Sequence, residues 1–234
     1  MRHTLLQGRR YLSFTVLGAV LFAHAFGILA ILGSNFNFDA LSQLAMKRYG
    51  GRAQQTVDQW RDTLVANRSS AESEKVRRVN DFFNRKISYS EDNDIWGQSD
   101  YWATPLETMG RGEADCEDFA IAKYFSLLIL GVPADKLRIT YVKARMGGSH
   151  STVSIAHMVL GYYPDPTDEP LILDNLINDI RPASRRPDLT PVFSFNSEGL
   201  WVGSSPGGAS SGSATSRLSR WRDLLSRMQA DGFE

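Results

Sequence analysis

Cysteine is nearly missing from this chain: it occurs once in 234 residues, at position 116, so no intramolecular disulfide can form and the fold must stand on its core. Net charge is missing as well. The 26 Lys and Arg balance 26 Asp and Glu, so no overall charge draws the chain toward nucleic acid, and no nucleic-acid partner is expected. No His or Cys pair stands at zinc-ligand spacing, so a soft-metal site is excluded too. With 42% hydrophobic and 22% charged residues, the chain is neither disordered nor fibrous, and its length suits one globular domain with appendages.

Asp, Glu, Lys and Arg are all absent between Tyr11 and Gly33, after a start that carries Arg2, Arg9 and Arg10. A basic flank before an apolar run reads as an export signal, with the small-x-small triplet Ala23-His24-Ala25 as a cleavage site. The same run is long enough to cross a bilayer, so residues 1–33 are expected to be a signal peptide or a membrane anchor. In both cases the body of the chain is translocated.

Residues 34–202 read as the folded domain. Helices are expected over 37–87, where Val57, Trp60 and Leu64 repeat at helical spacing and Ser69-x-x-Glu72 offers a capping box ahead of Val76, Val79, Phe83 and Ile87. The stretch SEDNDIWGQSDYWATPLETMGRG reads as a long, ordered, irregular loop. Its Trp96, Tyr101 and Trp102 suit either a groove wall or the core. A helix is expected from Cys116 to Leu130, stopped by Gly131 and Pro133. The period then changes to two, giving strands over 137–145, 154–163, 171–176 and 192–196. Helices first and consecutive strands later predict an α+β domain with an antiparallel sheet. Residues 203–216 have the composition of a flexible linker. Residues 217–234 form an amphipathic helix carrying Leu218, Trp221, Leu224, Leu225 and Met228, suited to docking on its own domain, on a partner or on a membrane surface.

Cys116 lies where the last of these helices but one begins, after Gly110 and Gly112, so its thiol is presented at free N–H groups that can lower its pKa and hold an oxyanion. A nucleophile needs a base. Of four histidines, His3 and His24 fall in the export segment and His150 in the polar turn GGSHST, which leaves His157 in the otherwise apolar SIAHMVLGYY. An imidazole in a strand must find a partner. Antiparallel pairing around the turn PDPTDEP brings Asp174 of LILDNL within a few residues of His157. Cys116, His157 and Asp174 then read as nucleophile, base and orienting carboxylate; a buried thiol with a backbone-satisfied core histidine is the plainer alternative.

The strings ADCEDFAIAKYFSLLILGVP, AHMVLGY and LILDNL resemble the bacterial transglutaminase-like cysteine proteinases of the LapG type, over roughly residues 70–202. The resemblance implies a papain/transglutaminase-like fold, N-terminal helices packed on the sheet, and Cys116, His157 and Asp174 as the catalytic triad. It implies a periplasmic endopeptidase that cuts the N-terminal region of a large surface adhesin, at a small-residue, alanine-rich site, and so promotes biofilm dispersal. An inner-membrane cyclic-di-GMP receptor that sequesters the protease comes with it. The papain-type glutamine is absent; Gly110 stands six residues before Cys116, and Gln98 and Trp102 are the candidates for a second oxyanion donor.

Glu113, Asp115, Glu117 and Asp118 crowd the thiol and oppose its ionisation unless neutralised. Oxygen ligands at this density suit Ca²⁺, although a solvated acidic turn has the same pattern. The resemblance implies calcium dependence through Asp115 and Glu117, with Asp118 as an addition. A transglutaminase-type acyltransferase and a non-catalytic calcium-binding module are the competing readings.

Overall fold

The computed structural model describes residues 36–202 and 213–233. The expected signal or anchor segment and residues 203–212 of the expected linker lie outside the described residues. No helix among the described residues is long and apolar enough to cross a membrane.

Among the described residues three helices come first: α1 (Phe38–Tyr49), α2 (Gly51–Ala66) and α3 (Glu72–Lys86). The period of Val57, Trp60 and Leu64 places one stripe of α2 in the core, and the Trp60 indole N–H donates to Ser126 Oγ at 2.9 Å. The capping box expected at Ser69 is not formed. Helix α3 starts with Ala71 as its cap, so Glu72 sits at the first helical position and cannot reach back as a third residue would. Its carboxylate accepts from Lys136 and Tyr162 instead, tying α3 to the sheet.

The stretch read as an irregular loop contains two short helices, α4 (Asp92–Trp96) and α5 (Pro105–Arg111). Thr104 and Glu107 form a full capping box around Pro105 at the first position of α5, a start signal printed in TPLE. Of the two glycines ahead of Cys116, only Gly112 makes a turn. Gly110 lies within α5 where a Cβ would come within 2.4 Å of the Tyr49 ring, while Gly112, with φ of 71°, ends the helix. Two short strands, β1 (Ser88–Tyr89) and β2 (Glu113–Ala114), pair in parallel and hold the approach to α6 (Cys116–Ile129).

Every residue of α6 from Asp118 to Ile129 is buried, as expected of a helix that is apolar nearly all round. It lies across an antiparallel sheet in the order β6 (Arg181–Pro182), β5 (Leu171–Leu173), β4 (Ser154–Tyr162), β3 (Leu137–Arg145), β7 (Leu189–Phe195) and β8 (Leu200–Val202). The expected α+β architecture is therefore present. Alternation along the strands divides the sheet into two faces. Leu137, Ile139, Met158, Leu160 and Leu173 join the core under α6, while Val142, Val159 and Ile172 form a small cluster opposite. That opposite face carries a groove of about 580 Å³ whose lining includes Arg138 and Arg186.

Helix α7 (Ser213–Ala230) docks on the domain. Trp221 stacks on Phe125, Leu224 and Met228 are buried, and Asp231 beyond its end accepts from Thr104 Oγ1 at 2.7 Å and pairs with Arg48.

Candidate active site and cation site

Cys116 is the first residue of α6, and Asp115 is its cap, accepting the Asp118 N–H. Packing of α6 on β4 sets the thiol beside the strand, where the Met158 backbone N–H points at it. The thiol itself donates to Glu117 Oε2 at 3.0 Å. Burial pushes the Cys116 pKa far up, and the charges of Glu117 and Asp115 push in the same direction; only the Met158 amide opposes them. Burial first, and the neighbouring carboxylates second, thus oppose ionisation of a thiol placed at a helix N-terminus.

His157, immediately before Met158, is 2% exposed, and its Nε2 lies 2.8 Å from Asp174 Oδ1. The hairpin supplies the meeting: Leu160 stands opposite Leu173, so Asp174 lies just past the end of β5 and two residues out of register with His157. Asp174 is anchored on all sides. Its Oδ1 also accepts the Leu176 N–H, its Oδ2 accepts from Arg186 Nη2 at 2.8 Å, and its carbonyl accepts from Asn84 of α3. Burial alone would raise its pKa, but the hydrogen bonds from His157, Leu176 and Arg186 prevail and bring it down to about 2. With Nε2–H given to an ionised carboxylate, a neutral His157 keeps its lone pair on Nδ1, the ring nitrogen left for a proton transfer.

The sequence reading missed Arg186. Its guanidinium is buried, clamped by Asp188 as well as Asp174, and nothing in the string ASRRPD marks one arginine over the others. His150 is exposed in its turn, as a surface residue should be. Trp102 is 3% exposed and stacks on Phe195, which places it in the core rather than on a groove wall. Gln98 is exposed.

The expected metal residues do not form one group. Asp115 and Asp118 join Asp92, whereas Glu117 joins Asp92 and Asp100; within each group the carboxylate oxygens lie within 4.8 Å of one another. Asp92 and Asp100 come from the stretch read as a loop; the acidic run SEDNDI was the available signal for Asp92, and nothing comparable marks Asp100. Asp118 is 0% exposed, and its Oδ1 accepts the Ala103 N–H while its Oδ2 has no partner. Asp92 likewise uses Oδ2 on the Tyr101 N–H and leaves Oδ1 buried and unpartnered. Burial, reinforced by the neighbouring carboxylates, raises Asp92 to about 6 and Asp115 to about 11, and raises Glu117 and Asp118 too. Buried acceptors without donors are costly unless a cation satisfies them. Two oxygens bound to one calcium at about 2.4 Å are separated by at most about 4.8 Å, so the spacing fits that ion.

Comparisons with known proteins place these residues in context. The family described as bacterial transglutaminase-like cysteine proteinase, BTLCP, matches residues 44–189. The structure is similar to Legionella pneumophila LapG, with 39% identity and a TM-score of 0.68 over 82% of this chain and 97% of that one. An EGTA-treated form of that protein matches with 40% identity and a TM-score of 0.69 over the same shares. A calcium-bound form matches with 41% identity and a TM-score of 0.69, over 82% of this chain and 99% of that one. Comparison with curated protein sequences gives no match.

Proposed function

This chain belongs to the bacterial transglutaminase-like cysteine proteinases, and from that premise we propose that it is a calcium-dependent endopeptidase whose triad is Cys116, His157 and Asp174. The observation that carries the reading is the buried relay from Arg186 through Asp174 to His157, ending beside the strand backbone that faces the Cys116 thiol.

In the mechanism, His157 Nδ1 accepts the thiol proton as Sγ attacks the scissile carbonyl carbon. The C–N bond then breaks, the leaving amine takes the proton from His157, and a thioester remains on Cys116. Water, deprotonated by the same nitrogen, hydrolyses the thioester and restores the thiol. Asp174 holds the ring in the required tautomer and stabilises the imidazolium, while its bonds to His157, the Leu176 amide and Arg186 together keep Asp174 ionised. The Cys116 backbone N–H, free at the helix start, is a donor for the tetrahedral oxyanion. Asp92, Asp100, Asp115, Glu117 and Asp118 would hold calcium, which supplies positive charge beside the thiol where these carboxylates alone oppose its ionisation. The relative solved in a calcium-bound form supports this part of the reading.

The substrate class follows the family resemblance: the N-terminal region of a large surface adhesin, cut in the periplasm, with an inner-membrane cyclic-di-GMP receptor as the sequestering partner. The test is incubation of the full-length chain with adhesin N-terminal regions, in calcium and in chelator. New peptide termini that require both calcium and Cys116 are expected. Normal cleavage by Cys116→Ala removes the triad, and amide cross-links in place of new termini make the enzyme an acyltransferase.

A further inference from the structure

Asp100 sits in coil after α4, where no secondary structure fixes its direction. Its Oδ2 lies 2.7 Å from Arg220 Nη1, and its Oδ1 is buried without a hydrogen-bond partner in the group formed with Asp92 and Glu117. Three carboxylates within such a distance repel one another. Asp100, with its side chain 36% exposed, is the one with room to swing toward solvent. The contact that opposes this swing comes from the far end of the chain. Arg220 is carried by α7 beside Trp221, whose ring is locked against Phe125 and Tyr124.

We infer that Arg220 is a positioning residue for the cation site: by holding one oxygen of Asp100 it aims the other at the ion, so that the C-terminal helix is a working part of the calcium centre. The inference rests on the calcium reading above and deepens it. An exposed ion pair of this kind contributes little to folding. Its value lies in orientation, because losing a partner that fixes a metal-ligating group costs about 10–100-fold in metal affinity. Helix α7 stays anchored without Arg220, since Leu224, Met228 and Asp231 are all buried.

Calorimetric titration of the full-length chain with calcium chloride tests this. Arg220→Ala is expected to weaken calcium binding about tenfold, with Arg220→Lys recovering part of the loss. In an Asp100→Asn background, Arg220→Ala should add nothing, because the pair acts as one unit. Thermal midpoints in chelator should be unchanged by Arg220→Ala, which separates orientation from loss of fold. Unchanged affinity in Arg220→Ala overturns the inference, as does an additive loss in the double variant. Tighter binding overturns it as well, by showing that the guanidinium competes with the ion for Asp100. Absence of calcium uptake by the unmodified chain removes the calcium reading itself, and this inference with it.

Discussion

Two clusters of charge lie on the elements that meet at Cys116, and they are built on opposite plans. On the sheet side, Asp174 has a donor for each oxygen and Arg186 pairs with two carboxylates, its Nη1 alone being left without a partner. On the helix side, Asp92, Asp100 and Asp118 each leave a buried oxygen without a donor. Both clusters are buried and polar, so both incur desolvation. Only the sheet side offsets it with this chain's own atoms. Its carboxylate is pulled down to about 2, whereas Asp115 on the helix side is pushed up to about 11. A carboxylate satisfied by its own chain fixes geometry, and a group of carboxylates left unsatisfied is a receptor for a cation from outside.

The largest break in that comparison should come from Asp118→Asn. Titration with calcium chloride is expected to show at least a hundredfold loss of affinity, since a buried ligand carboxylate is replaced by a neutral amide. The same variant should melt higher than the unmodified chain in chelator, because mutual repulsion and an orphaned charge are relieved. A lower melting temperature in chelator would mean that the acidic cluster is satisfied by the fold, like its counterpart.

Arg186→Met tests the other plan. Here one partner of a buried ion pair is removed, both side chains being within 2% of full burial, and a loss of roughly 3 kcal/mol in stability is expected. Catalysis should fall about tenfold or more through kcat rather than KM, as Asp174 loses one of the donors that keep it ionised and in place. Calcium affinity should not change. A variant that keeps full kcat while losing stability would reduce Arg186 to a structural role.

The same contrast explains what could be read from sequence. Helix α6, with Cys116 at its head, was visible because an apolar run followed a glycine and carboxylates, and β3 and β4 because their period is two. The meeting of His157 with Asp174 was local, set by one hairpin. Asp100 and Arg186 were not visible, since their roles depend on where coil segments come to rest, and Asp92 showed only as one carboxylate of an acidic run. The motif at Thr104 could have been found, and the one at Ser69 misled because a capping box predicts nothing once the chain turns helical two residues later.

The smallest effect, and the one that sharpens the comparison most, belongs to Lys123. It lies two turns along α6 from Cys116, 1% exposed, with its ammonium 5.6 Å from the centre of the Phe119 ring. Burial lowers its pKa to about 7, and Asp174 restores only part. The unfolded chain holds this proton up to about pH 10.4, so between the two values the unfolded state binds more protons and stability rises with pH. Below about pH 7 the lysine is charged in both states and its burial costs the most. Lys123→Met should therefore be more stable than the unmodified chain by about 1–3 kcal/mol at pH 6, with the advantage shrinking as the pH climbs toward 10. Denaturant unfolding of both proteins across that range measures the difference directly. Because Asp174 already has Arg186, His157 and the Leu176 amide, its geometry should survive and kcat should fall no more than a fewfold. A variant that is less stable at pH 6 would place Lys123 among the groups on which the sheet-side cluster depends, and that cluster would then need a second cation to be complete.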